Sequence, residues 1–391
     1  MTRATSAGRV VEGLASMLER RLRFAITNPS FNDSHLFVTL TQQARTVLFD
    51  CGPLIVPKAV AHEIRDVCLS HRHMDHLMGF ATFARQVTAT REPIRVVGPK
   101  GTARALSGLL QAFEWNYRHE LKLRLEVTEV LDAQTVLRAN VAVRDGFRVS
   151  GTQERPRHSV VHRDAAFELQ AFDLDHHTAP CLGYCLALPD EWRVDPDALR
   201  SAGLHPGPWI GSLLKRLQRG ETIAPDEPVP SEAQVAQRAA QGEVGTAAPA
   251  DALNQQSRPL LAQVAASVVR HERGMRVGFV TDTRDTPAVR ERLREHLSGA
   301  DVLFAEAYFS KADSERAAKN GHLTGHQIGE IATELNVGQL VITHISPRYP
   351  PSRVLREVRE VFPQVRSKRE FLLGAAELEE ELDTTDSAEH E

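Results

Sequence analysis

The stretch DVCLSHRHMDHLMGF places His71, His73, Asp75 and His76 within six positions, directly after an apolar run. Imidazole nitrogens and a carboxylate are the donor set of a zinc-type site, with bonds of about 2.0–2.2 Å. A loop at a strand end releases side chains from the ladder, so several donors can converge on one point. His71 and His73, two residues apart, can point the same way, and Asp75 and His76, after a turn, can face a second ion. One such loop does not complete two metal sites, so more donors are expected at other strand ends. Three places offer them: His176 and His177 in FDLDHHTAP, Asp282 in RVGFVTDTRDTP, and His344 in LVITHISPRY.

The elements that must position these residues are short apolar runs bounded by polar residues or Gly and Pro. Strands are predicted at residues 36–40, 46–50, 66–70, 94–97, 276–281, 301–305 and 339–343. Helical periodicity covers residues 101–113, 287–297, 324–335 and 352–361. Strands and helices alternate in both halves of the 391 residues, which predicts an α/β layered fold with helices covering sheets. Trp192–Arg219 is rich in Pro and Gly and ends in Lys215, Arg216 and Arg219, and residues 231–258 are Ala/Gln-rich with little apolar bulk. That middle region is predicted to be an insertion outside the core.

Composition narrows the function classes. No apolar run is long enough for a signal peptide or membrane anchor, and residues 1–28 are predicted to be a helical extension. Cys51, Cys68, Cys181 and Cys185 show no metal-knuckle spacing, so they are expected as buried thiols in a reducing cytoplasm. The net charge of −4 argues against nucleic acid, but the end of the chain, residues 376–391, holds eight acidic residues and no Lys or Arg. That end is predicted to be a solvated tail, and the remaining body is net positive, which permits an RNA partner. Trp115 and Tyr117 in AFEWNYRHE are expected to pack in the core rather than stack on a base.

The motif order resembles the metallo-β-lactamase superfamily and, in detail, the ribonuclease Z family of tRNA 3′-processing endonucleases. The resemblance rests on His-x-His-x-Asp-His at 71–76, a His six residues before Gly183-Tyr184, Thr281-Asp282-Thr283-Arg284, and Thr343-His344-Ile345-Ser346-Pro347-Arg348-Tyr349. TVLFDCG at 46–52, ADVLFAEAYF at 300–309, GHLTGHQIGE at 321–330 and LHPGPWIGSLL at 204–214 extend it. It implies a four-layer αββα sandwich over residues 29–365, with an arm at about 190–258 and a dinuclear metal site at one sheet edge. It further implies that His71, His73 and His177 hold one Zn2+, that Asp75, His76 and His344 hold the other, and that Asp282 bridges them; Mn2+ or Fe suits the same donors. In that picture Asp75 orients the attacking water, and His322 with Glu306 serves the leaving group. Arg348, Lys215 and Arg216 meet phosphates of a tRNA precursor, and the protein is a homodimer. The sequence departs from the family where His-Glu-Ala-Thr reads Ala305-Glu306-Ala307-Tyr308 and His-Ser-Thr reads His322-Leu323-Thr324. These changes keep open a second expectation, hydrolysis of a small phosphodiester such as a cyclic nucleotide. The complete ligand set disfavours a third, a noncatalytic RNA-binding protein.

Overall fold

Continuous apolar runs that stop at a polar residue become the central strands of two sheets. The computed structural model describes residues 21–26, 34–53, 56, 58–177, 179–229, 260–368 and 370–371. Residues 1–20, 231–258 and 376–391, expected as helix, insertion and tail, lie outside the described residues. The chain divides into one unit of residues 1–187 and 276–391 and a second of Leu188–Met275.

In the first unit an eight-stranded sheet runs in sequence order: β1 (Leu22–Ala25), β2 (Leu36–Leu40), β3 (Arg45–Phe49), β4 (Ile64–Cys68), β5 (Ile94–Pro99), β6 (Arg124–Val130), β7 (Thr135–Ala142) and β8 (Val149–Pro156). The seven-stranded sheet contains β9 (Val160–Arg163), β10 (Glu168–His176), β11 (Ala179–Ala187), β14 (Arg276–Val280), β15 (Val302–Glu306), β16 (Gln339–His344) and β17 (Val365–Ser367), in the order β17-β16-β15-β14-β11-β10-β9. β3 to β6 are mutually parallel, as are β14 to β17. Helices Phe80–Gln86 and Thr102–Gln111 bury Phe83, Leu106 and Leu110 with Val67, Val96 and Val127 of the first sheet. Helices Pro287–Leu297, Gly325–Glu334 and Pro351–Arg359 bury Leu293, Ile328, Val354 and Val358 with Leu303 and Ile342 of the second. The result is the expected four-layer αββα sandwich. All seven predicted strands and all four predicted helices form, with ends shifted by one or two residues.

Two expectations are corrected. Leu22–Ala25, placed in a helical extension, is strand β1, paired antiparallel with β2; Leu22 points inward and Arg23 outward, an alternation of period two. The arm does not end near residue 258. The second unit runs to Met275 because β13 (Val269–Glu272) pairs with β12 (Glu191–Val194). Within that unit, helices Pro208–Gln218 and Leu261–Val268 share a core of Leu199, Trp209, Leu213, Val264 and Val268. Trp115 packs on Phe147 and donates its Nε1–H to the Leu110 carbonyl, as expected, whereas Tyr117 is 72% exposed. All four cysteines are buried thiols.

The two sheets are pinned together directly beneath the His71 loop. Tyr184 on β11, fully buried, donates its hydroxyl hydrogen to the Leu69 carbonyl at 2.7 Å, with the Val97 carbonyl 3.2 Å away. Leu182 N–H donates to the Ser70 carbonyl at 2.8 Å, and Phe49 stacks on Phe279 between the sheets. Removing the hydroxyl takes that donor from the buried Leu69 carbonyl, a penalty of about 1–3 kcal/mol, while the Val97 carbonyl keeps the Leu69 N–H at 2.8 Å. Tyr184→Phe is therefore expected to lower the unfolding free energy by that amount, read as a lower urea midpoint with an unchanged slope. An unaltered midpoint in equilibrium unfolding would show that the pin contributes nothing.

Candidate metal centre

The donors come from the carboxyl ends of strands in both sheets, where the backbone leaves its ladder. β4 leads into His71, His73, Asp75 and His76; β10 ends on His176; β14 leads into Asp282; β16 ends on His344. The His71–His76 loop is clamped by backbone to the end of β3. Cys51 N–H donates to the His76 carbonyl at 2.7 Å, and Gly79 N–H to the Cys51 carbonyl at 2.8 Å. The approach demands a glycine at 52, since a Cβ there would lie 2.2 Å from the Asp75 carbonyl oxygen. Asp50 and Asp282 both turn out of their strands with positive φ, 54° and 50°, a region in which Asp is among the tolerated residues.

Three donor groups result among the described residues: His71, His73, His176 and Asp282; next to them Asp75, His76 and His344; and Asp282 again with Glu306 and His322, which pair with each other. The expectation that His177 is a ligand is corrected. On β10, Phe172, Leu174 and His176 share one inward face, and His177 begins the turn with φ 50° and its side chain exposed. His176 Nδ1–H donates to the Gly321 carbonyl at 2.8 Å, which leaves Nε2 to face the site, 3.4 Å from His73 Nδ1. Gly321, at φ 79°, lets that carbonyl come close; a Cβ there would lie 2.8 Å from His176 Nδ1.

Asp282 stands at the centre. Its Oδ2 lies 3.5 Å from His71 Nε2, 3.4 Å from His76 Nε2 and 3.8 Å from His176 Nε2, and its Oδ1 lies 3.7 Å from His344 Nε2. Asp75 Oδ2 is 3.4 Å from His76 Nε2. Such separations are long for hydrogen bonds, but two donors bound tetrahedrally to one ion at about 2.1 Å stand roughly 3.4 Å apart. Buried His71 Nε2 and His76 Nε2 have no hydrogen-bond partner. Orphaned imidazole nitrogens facing a shared carboxylate fit divalent metal ions, and the cluster is capable of binding them.

Further residues fix these donors. Asp50 accepts from His76 Nδ1 at 2.7 Å, from Ser70 N–H at 2.7 Å and from the Ser70 hydroxyl at 2.8 Å. It aims His76 Nε2 inward, as hydrogen-bonded carboxylates do behind metal-binding imidazoles. Glu306, fully buried, accepts from Thr283 N–H at 2.7 Å and pairs with His322 Nδ1 at 2.8 Å. Burial lifts the Glu306 carboxyl above its ordinary range. Burial works against a charged His322 too, but the Glu306 carboxylate raises that imidazole to about 9. For Asp282 burial also disfavours the charge, and the His76 and His344 imidazoles prevail, holding it well below the usual carboxylate range. His344, buried, is lowered to about 4.

An opening of about 450 Å³ gives access to the cluster, lined among others by Asp75, Asp282, Tyr308, Asn320, His322 and Arg348. Of the expected phosphate contacts, Arg348 lines this opening and is exposed. Arg216 does not stand ready for a phosphate. It donates to both carboxylate oxygens of Glu227, at 2.7 and 3.0 Å, within the second unit, where Lys215 is exposed. Sequence reasoning named His176 but preferred His177 as the ligand, and it missed Asp50, Tyr308 and Asn320. His176 had a signal in the alternation of FDLDHH, and Asp50 in its place at a strand end; Tyr308 and Asn320 had none.

The solved structure of human tRNase Z, short form, is 15% identical over 84% of this chain and 93% of its own, with a TM-score of 0.44. The Beta-lactamase superfamily domain matches residues 45–191 and 209–345. Ribonuclease Z of Deinococcus radiodurans is 30% identical over 90% of this chain and 99% of its own length. Ribonuclease Z of Gemmatimonas aurantiaca is 26% identical over 95% and 99%. With the domain matched over most of the chain and a relative matched over nearly its whole length, the chain belongs to the ribonuclease Z family of the β-lactamase superfamily and is a hydrolase.

Proposed function

We propose that the protein is an endoribonuclease that cleaves tRNA precursors at the 3′ side, using two divalent ions, by preference Zn2+. The observation that carries this is the pair of donor groups meeting at Asp282, with His322 and Glu306 beside them. His71, His73 and His176 would hold one ion and Asp75, His76 and His344 the other, with the Asp282 carboxylate available to both groups. Bound there, the ions supply Lewis acidity to the phosphoryl group and make water nucleophilic near neutral pH. The residues do the rest. Asp75, whose side chain is 44% exposed at the opening, accepts a proton from the attacking water and orients it. The water oxygen joins phosphorus as the bond to the ribose 3′ oxygen breaks. That oxygen takes a proton from His322, whose ring Glu306 holds. Arg348 at the opening and Lys215 on the arm are the proposed phosphate contacts. The relatives named Ribonuclease Z support the tRNA substrate.

Three outcomes are expected. A tRNA precursor with a 3′ trailer is cut to a tRNA ending in a 3′ hydroxyl and a trailer carrying a 5′ phosphate. Turnover of cyclic nucleotides or bis(p-nitrophenyl) phosphate, with the precursor untouched, overturns the substrate. By elemental analysis, His176→Ala loses bound metal while His177→Ala keeps the wild-type content, and the reverse result sinks the ligand assignment. Asp50→Asn weakens metal retention against a chelator about 10–100-fold, the size of effect seen when the partner behind a ligand is changed; equal retention removes Asp50 from the site's support.

A further inference from the structure

Tyr308 occupies the position where the sequence departs from the family's His-Glu-Ala-Thr pattern, and nothing above gives it a task. It follows β15 by two residues, and its backbone is woven into both neighbouring segments. The Tyr308 carbonyl accepts from Ser346 N–H at 3.1 Å, Ala307 N–H donates to the His344 carbonyl at 2.9 Å, and Phe309 N–H donates to the Leu323 carbonyl at 3.1 Å. The side chain is therefore delivered from a fixed backbone. Its ring lies nearly parallel to His322, at 4.2 Å between centroids and 16° between planes, and reaches over His344 at 4.8 Å and 23°. Phe309 stands at a tilt 5.9 Å from His322. The ring remains half-buried, with an open part lining the same opening as Asp75 and Arg348.

We propose that Tyr308 is a positioning residue for His322. An imidazole can turn about two side-chain bonds. Glu306 fixes its edge through Nδ1, which leaves rotation about the axis of that hydrogen bond. A flat ring against the face removes that rotation, because tilting the imidazole sacrifices the stack, a contact worth about 0.5–1.5 kcal/mol between aromatic rings. Edge and face together leave Nε2 one direction in which to present a proton. The threonine of the family pattern has no ring to act this way. A merely space-filling Tyr308 would touch His322 without affecting which step of the reaction responds to its loss.

The inference rests on His322 as donor to the leaving oxygen, and the test separates the two. The substrate is a tRNA precursor prepared in two forms, one with the natural 3′ oxygen at the cleaved bond and one with sulfur in its place. A sulfur leaving group departs as thiolate and needs no proton, whereas the ribose oxygen does. Loss of general-acid assistance typically costs about 10²–10⁴-fold. His322→Ala is expected to lose rate in that range on the oxygen substrate and to change less than about threefold on the sulfur substrate. Tyr308→Ala is expected to show the same split at a smaller size, roughly 10-fold or more on oxygen, with bound metal by elemental analysis at the wild-type level. Tyr308→Phe, which keeps the ring, is expected to restore the oxygen rate. A His322→Ala loss equal on both substrates overturns the donor reading and the role of Tyr308 with it. A split for His322→Ala but equal losses for Tyr308→Ala overturns the Tyr308 proposal alone. So does loss of metal from Tyr308→Ala, which would assign the ring to His344.

Discussion

The buried carboxylate of Asp282 is the constraint from which the rest follows. It is 2% exposed and faces imidazoles from three other strand ends. An ion taken out of water loses several kcal/mol of hydration and is tolerated only where opposite charges or donors replace it. The Thr281 hydroxyl supplies one hydrogen bond at 2.7 Å; imidazoles surround the remainder. Imidazoles so close cannot all be charged, and burial pushes His71 and His344 toward the neutral form, whose nitrogen lone pair binds a metal. The centre is thus a buried carboxylate ringed by imidazole donors, a set capable of binding divalent ions.

To bring donors from separate strands to one carboxylate, the two sheets must end at a common edge and stay in register there. The parallel blocks β3–β6 and β14–β17 provide the common edge, because parallel strands release their loops from the same end. Tyr184 and Leu182 hold the register by bonding across the sandwich to Leu69, Val97 and Ser70, the residues that immediately precede or underlie the His71 loop. Away from this edge the demand relaxes. β8 is exposed along its whole length, and the inner face of the first sheet carries Arg95, Glu126 and Asn140 in cross-strand register. Arg95 there bonds Asp66 at 2.7 Å. The sandwich is tight where it aligns donors and open where it does not.

What could be read from the sequence follows from this division. Strands buried on both faces are continuous apolar runs, so β2 to β5 and β14 to β16 were legible, and so were the polar residues that stop them: His71, Asp282 and His344. Strands β6 and β8 were not, because β6 carries a charged face and β8 no apolar face at all, so only the ladder defines them. β11, a buried apolar run, carried the same signal as the legible strands and was overlooked. The choice between His176 and His177 was legible in principle. Phe172, Leu174 and His176 alternate with Asp173, Asp175 and His177, and the period of two selects the first set. Counting from Gly183-Tyr184 instead crosses a turn, where spacing along the chain no longer fixes direction. β1 was hidden for a different reason: four residues are too few to show a period.

The metal donors and the groups behind His322 also differ in how much of their placement belongs to the backbone. His71, His176, Asp282 and His344 sit at or just beyond strand ends, where the ladders set the course of the backbone, and Asp50 behind His76 and the Gly321 carbonyl behind His176 aim the rings. His322 lies in the loop between helices Ser314–Asn320 and Gly325–Glu334, where side chains must supply what a ladder does not. Glu306 gives the edge contact from the last position of β15, and Tyr308 gives the face from two residues beyond it. That segment is where the chain leaves its family's pattern, exchanging a residue that can only hydrogen-bond for one that stacks. The donors at the strand ends are therefore the legible residues, and the groups around His322 are set by packing that only the fold reveals.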